Sequence, residues 1–131
     1  MKRYKIFVVS GDTAVCDSIR ELVESVGLQA ETFLSLQAFL NAVEAERRGC
    51  LVLDTHNGDL SNQEQQRELA NCCARMTVIL IAERGDVETA VRAMQAGAMD
   101  VVQKPYRDNK LLDSIEKGLE INGYADARKG S

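Results

Sequence analysis

The sequence predicts an α/β domain, a parallel sheet with helices on both faces. Three observations carry this. Five short β-rich apolar runs alternate with five segments of helical periodicity. The first, third and fourth runs are continuously apolar rather than alternating, as strands covered on both faces are. Each strand-plus-helix unit takes about 25 residues, which accommodates right-handed crossovers. Periodicity alone does not order the strands. The chain's 131 residues suit one domain able to bury a core without disulfides or a metal.

Ile6-Phe7-Val8-Val9 is the first strand, ending in Ser10-Gly11. Asp12 is a good N-cap for a helix whose apolar set is Val15, Ile19, Leu22, Val23 and Val26, with Gly27 as its stop. Leu28 to Phe33 is a weaker strand. Ser35 opens a helix with Leu36, Phe39, Leu40 and Val43 on one face, stopping near Gly49. Leu51-Val52-Leu53 is a compact strand ending at Asp54, followed by a polar loop. Ser61 with Glu64 reads as a capping box for a helix to about Ala74. Val78-Ile79-Leu80-Ile81 leads into Ala82-Glu83-Arg84-Gly85. A helix from Asp86 then carries Val87, Val91 and Met94 on one face and ends at Gly97. Met99 to Gln103 is the fifth strand. Asp108 caps a last helix with Leu111, Leu112, Ile115 and Leu119. The domain is expected over 1–121, with 122–131 as a polar tail or linker.

Composition narrows the function. A formal net charge of −4 and no Lys/Arg-rich run argue against direct nucleic-acid binding. No apolar run approaches the roughly 18 residues of a membrane span, and the four apolar residues after Lys5 are too few for a signal-peptide core. A cytoplasmic domain is therefore expected. Cys16, Cys50, Cys72 and Cys73 show no C-x-x-C spacing, and with His56 as the one histidine they read as reduced, apolar-packing thiols.

In an open α/β sheet, ligands sit beyond the carboxyl ends of the strands. That singles out Ser10, Gly11 and Asp12, then Asp54, then Ala82 and Glu83, then Lys104-Pro105. A carboxylate directly after three apolar strand residues costs desolvation unless it is paired or used. Lys104 ends another strand on the same edge. On pattern alone, a bland reading (a structural ion pair or two solvated rim charges) stands level with a functional pair.

The stretch Gly85-Asp86-Val87-Glu88-Thr89-Ala90-Val91-Arg92-Ala93-Met94-Gln95-Ala96-Gly97-Ala98-Met99-Asp100, running on to Lys104-Pro105-Tyr106, resembles the end of a response-regulator receiver domain. It is most similar to CheY-like receivers of the nitrogen-fixation type, which usually precede a LuxR-like helix-turn-helix. With an Asp ending the third strand, the resemblance covers roughly 4–120. It implies a flavodoxin-like (βα)5 fold of strand order 2-1-3-4-5 and a cis peptide before Pro105. It further implies a signalling domain rather than an enzyme. Asp54 would be the phosphoacceptor, attacking a phosphohistidine of a histidine kinase or phosphotransfer protein to form an acyl phosphate. Lys104 would contact the phosphoryl group as a point charge, and the backbone carbonyl of His56 would help hold Mg²⁺.

Five positions depart from the family pattern. Ser10-Gly11 replaces two acidic residues, and Mg²⁺ favours hard, usually carboxylate, oxygens in near-octahedral geometry. Asp12, one position on, is better read as the helix cap than as a displaced metal ligand. Ala82 replaces the switch hydroxyl, and Val101 replaces the aromatic that swings with it. Gly58 stands where a proline is common, which should loosen that loop. The expectation is weak or absent Mg²⁺ binding and slow phosphotransfer at Asp54. The alternative is a phosphorylation-independent pseudo-receiver acting through protein contacts. The resemblance also implies an output DNA-binding domain outside the chain, and homodimerisation through the face of helix four, strand five and helix five, where Arg92, Asp100, Lys110 and Lys117 would be rim charges. A flavin carrier fits less well, because Asp12 puts a carboxylate in the first loop and aromatics are few. A redox role for Cys72-Cys73 is geometrically awkward.

Overall fold

In the computed structural model, residues 5–42, 49–56 and 60–121 are described. They form β1 (Lys5–Val9), α1 (Thr13–Glu24), β2 (Gln29–Phe33), α2 (Leu36–Ala42), β3 (Gly49–Asp54), α3 (Gln63–Arg75), β4 (Thr77–Ala82), α4 (Val87–Ala96), β5 (Asp100–Gln103) and α5 (Asp108–Ile121). The five strands are all parallel, in the order β2-β1-β3-β4-β5. This is the doubly wound, flavodoxin-like arrangement expected. Val43, Gly58 and the polar end from Asn122 lie outside the described residues.

Strand side chains alternate between two cores, one on each face of the sheet. Ile6, Val8, Val52 and Ile79 pack with Ile19 and Val23 of α1 and Leu111, Ile115 and Leu119 of α5. Phe7, Leu51, Val78 and Leu80 pack with Phe39 of α2, Leu69 and Cys72 of α3 and Ala93 of α4. Continuous apolar runs follow, because neither face meets water. The four cysteines are free thiols, three buried and Cys73 half-buried, and burial pushes Cys50 up to about 12.

Several local details differ from the sequence reading. Gly49 does not stop a helix but opens β3, where a Cβ would lie 2.2 Å from the Lys5 carbonyl oxygen. Asn62, not Ser61, caps α3, its side chain accepting from the Gln65 amide at 2.8 Å; Asn caps as well as Ser, and the helix starts one residue later. Asp108 is the first residue of α5, since the Arg107 carbonyl already accepts from Lys110 and Leu111. Val26 lies beyond α1 and is exposed, with Gly27 making the turn at φ 84°.

On α4 the apolar stripe picked out by periodicity is the exposed one. Val87, Val91 and Met94 face solvent, and Thr89 and Ala93 face the sheet. The helix has apolar residues on both sides, and small ones allow close approach to β4 and β5. Periodicity finds such a stripe without saying which one is inside.

Candidate functional site

Parallel register brings the strand ends to one edge. Val9 pairs with Leu53, Asp54 with Ile81, and Ala82 with Gln103. Backbone bonds continue the ladder, from Thr55 N–H to the Ile81 carbonyl and from Lys104 N–H to the Ala82 carbonyl, both 2.9 Å. Ser10, Asp54, Ala82 and Lys104 therefore converge because each directly follows or ends its strand. The Lys104–Pro105 peptide is cis.

Asp54 has a side chain only 1% exposed; its Oδ1 is ion-paired with Lys104 but accepts no aligned hydrogen bond among the described residues, and its Oδ2 accepts from Ser10. Lys104 Nζ lies 2.7 Å from Oδ1. Ser10 Oγ donates to Oδ2 at 2.7 Å, while itself accepting from the Asp12 amide at 3.1 Å. That second bond orients the hydroxyl, so its proton points at the carboxylate. A buried carboxylate held by one cation and one oriented donor is the arrangement that offsets desolvation.

Lys104 also faces Glu83, whose Oε1 lies 3.4 Å from Nζ, and the Thr55 carbonyl at 3.5 Å. Partial burial pulls the ammonium down, but Asp54 and then Glu83 outweigh it and leave Lys104 above its ordinary value. His56 Nδ1 is 3.0 Å from the same Glu83 oxygen. Glu83 is held below the usual carboxylate range, chiefly by the His56 hydrogen bond and then by Lys104. Tyr106 is raised, by burial first and by the Asp54 charge second. The sequence placed Glu83 at this rim but assigned it no role; its sharing of Lys104 with Asp54 depends on side-chain reach, which spacing does not encode.

Ala82 is fully buried and offers no hydroxyl, and Val101 packs partly buried against the α4-side core. Asp12 Oδ1 accepts from the Ala14 amide at 2.9 Å, so this carboxylate caps α1. Among the described residues no group of three His, Cys, Asp or Glu side chains is placed to hold a metal ion. The nearby carboxylates are Asp54, ion-paired to Lys104 and bonded to Ser10, and Glu83, turned to Lys104 and His56. This set does not fit a hard dication that wants several anionic oxygens.

Residues 6–116 match the family described as the response regulator receiver domain. The chain belongs to that family. This receiver domain is 39% identical over 116 residues to the response regulator protein TmoT of Ectopseudomonas mendocina, covering 88% of this chain and 53% of TmoT. It is 37% identical over 114 residues to the transcriptional regulatory protein FixJ of Azorhizobium caulinodans, covering 87% and 54% respectively. The chain thus spans about half the length of the curated relatives it matches. Among solved structures, the response regulator StyR superposes with a TM-score of 0.80 at 35% identity, covering 98% of this chain and 65% of StyR. FixJ-N superposes at 0.78 and 32% identity, covering 92% and 96%. The receiver domain is therefore a two-component signalling module by family. No helix among its described residues is long and apolar enough to cross a membrane.

Of the four charges read as rims of the α4–β5–α5 face, Arg92 is engaged outside it and Asp100 within it, between β5 and α5. Arg92 donates to the Leu60 carbonyl at 3.1 Å and pairs with Glu88, and Asp100 accepts from Ser114 Oγ. Lys110 and Lys117 are exposed.

Proposed function

We propose that this receiver domain carries its phosphoacceptor at Asp54 but accepts phosphate slowly and binds Mg²⁺ weakly or not at all. The observation that carries the reading is the double engagement of the Asp54 carboxylate by Lys104 and Ser10 at 2.7 Å each. In the transfer step, one Asp54 oxygen attacks the phosphorus of a kinase phosphohistidine. The P–N bond breaks, the imidazole leaves with its electron pair and takes a proton, and an acyl phosphate remains. That oxygen must first leave Ser10 or Lys104. Phosphoryl transfer also crowds negative charge that is ordinarily neutralised by cations. Here Lys104 supplies one positive charge and divides it between Asp54 and Glu83.

A histidine kinase or phosphotransfer protein is the donor on this reading, and a DNA-binding output domain beyond the chain is the effector. The solvent-facing Val87, Val91 and Met94 of α4 favour a contact through α4, β5 and α5 with that output or a second receiver. A domain of this kind works in the cytoplasm as a binding module more than as a phosphate-driven switch. The test is intact-mass measurement after incubation with acetyl phosphate and Mg²⁺. Slow, partial labelling absent from Asp54→Asn is expected, and rapid stoichiometric labelling would refute the impaired reading. Ser10→Asp with Gly11→Asp should raise Mg²⁺ affinity measured by calorimetry; no gain would mean that the missing carboxylates are not the cause.

A further inference from the structure

Through the sheet, the route from Asp54 to α4 has no polar relay. Ala82 ends β4 without a hydroxyl, and Val101 of β5 packs as an apolar side chain. A second route runs through the segment that follows Asp54. Leu60, six positions on, buries its side chain in the same core as Leu53, the residue before Asp54. The Leu60 carbonyl accepts two side-chain hydrogen bonds, from Gln66 Nε2 of α3 at 2.9 Å and from Arg92 Nη1 of α4 at 3.1 Å. Two donors fill both acceptor sites of a carbonyl oxygen, and the charged guanidinium makes the stronger bond.

Arg92 is held in place for this contact. Its Nη2 pairs with Glu88 one turn earlier on α4, which steadies the guanidinium plane, and its side chain is only 30% exposed. Among the described residues, no other α4 side chain donates a hydrogen bond to a different part of the fold. The near end of the segment is fastened as well. Thr55 donates to the Ile81 carbonyl through its N–H at 2.9 Å and through Oγ1 at 2.8 Å. Lys104 Nζ, which pairs with Asp54, also lies 3.5 Å from the Thr55 carbonyl. A change of charge at Asp54 therefore changes how Lys104 bears on Thr55, and a shift of the segment at Leu60 is passed to α4 by the guanidinium.

We propose that Arg92 couples the charge state of Asp54 to the position of α4, by a path separate from Ala82 and Val101. Moving α4 changes how Val87, Val91 and Met94 are presented to a partner. The coupling is reciprocal, so a contact that fixes α4 bears back on Asp54. It needs a change at Asp54 but no phosphate. Rapid labelling in the experiment above would therefore end the impaired reading and leave this one standing.

The test compares the amide shifts that Asp54→Asn causes in the ¹⁵N-labelled parent with those it causes in an Arg92→Met background. Asparagine removes the charge that holds Lys104 at nearly constant size, and methionine keeps helix propensity while removing the donor. In the parent, Asp54→Asn should shift the amides of Leu60 and of residues 88–93. In Arg92→Met, the shifts over 88–93 should fall at least threefold, while those at Ser10, Thr55 and Lys104 keep their size. A residue that merely stabilised α4 would alter its amides equally with either residue at position 54, leaving the difference intact. Arg92→Lys keeps the charge but loses the fork that joins Leu60 to Glu88; it should lower the shifts about twofold, and it decides the matter should Arg92→Met not fold. Absence of shifts over 88–93 in the parent, or shifts of undiminished size in the Arg92 variants, would overturn the proposal, the second result assigning transmission to the packing of β4 on α4.

Discussion

The carboxyl edge of the sheet has two halves that solve different problems. Around β1, β3 and β5, polar groups form one network: Asp54 is ion-paired to Lys104 and accepts from Ser10, Ser10 accepts from the Asp12 amide, and Lys104 reaches on to Glu83. At the end of β4 and along α4 the inward positions Ala82, Val101 and Ala93 are apolar, and Glu83, one residue on, joins the network from the rim. Ala82 and Val101 make no side-chain hydrogen bond, and α4 rests on Ala93 and Thr89 while turning Val87, Val91 and Met94 outward. One half is organised by charge and the other by packing. On the proposed reading, the Asp54 half therefore has large, partner-dependent energies, whereas Ala82 and Val101 offer no polar group that could sense them.

The sharpest way to break this contrast is Lys104→Met. It leaves a carboxylate of 1% side-chain exposure without its cation. Removing one member of a buried pair costs roughly 3–5 kcal/mol, and with Lys104 one quarter exposed we expect about 3 kcal/mol by urea denaturation. Adding Asp54→Asn should recover most of that loss. Additive losses would mean that the pair is not the organising contact. Ser10→Ala should cost less, about 2 kcal/mol, the usual range for a hydrogen bond to a charged group. In an Asp54→Asn background the same change should cost about half as much, because the acceptor is then neutral.

Acid titration probes the outer end of the network. Glu83 lies below its usual 4.5, so its contribution is complete above that value and is lost as pH falls through the lower, folded-state value. The stability gap between the parent and Glu83→Gln should close on acidification below about 4.5. A gap that widens in acid would reverse the assigned direction.

How much of this was legible beforehand follows from what each feature depends on. The parallel sheet was readable because continuous apolar runs can only be strands covered twice, and the convergence of Ser10, Asp54, Ala82 and Lys104 follows from parallel strands ending at one edge. The strand order came only through the family resemblance. The Ser10–Asp54 bond was invisible, since Ser10 was read as a lost carboxylate and not as a donor in its own right. Which face of α4 packs inward was not legible, because Val87-Val91-Met94 outweighs Thr89-Ala93 in hydrophobicity while packing distance to the sheet selects the smaller side. Arg92 was placed on an outer face because sequence spacing cannot show a guanidinium reaching the Leu60 carbonyl across the α3–α4 side.

The smallest expected effect is also the one that separates the two halves most directly. Ala82→Thr returns a hydroxyl to the end of β4, next in register to Gln103 and two strands from Ser10. It adds no charge, so the electrostatic barrier at Asp54 is untouched, and the acetyl-phosphate labelling rate should stay within about twofold of the parent. The hydroxyl can only stabilise a phosphoryl oxygen already in place, a net gain of about 1.5–3 kcal/mol for a charged acceptor. Its signature is therefore a slower loss of label once formed, read as a longer acyl-phosphate half-life by intact mass. A tenfold faster labelling rate would show that β4 participates in the transfer itself, and the division between a charged acceptor half and an apolar readout half would fall.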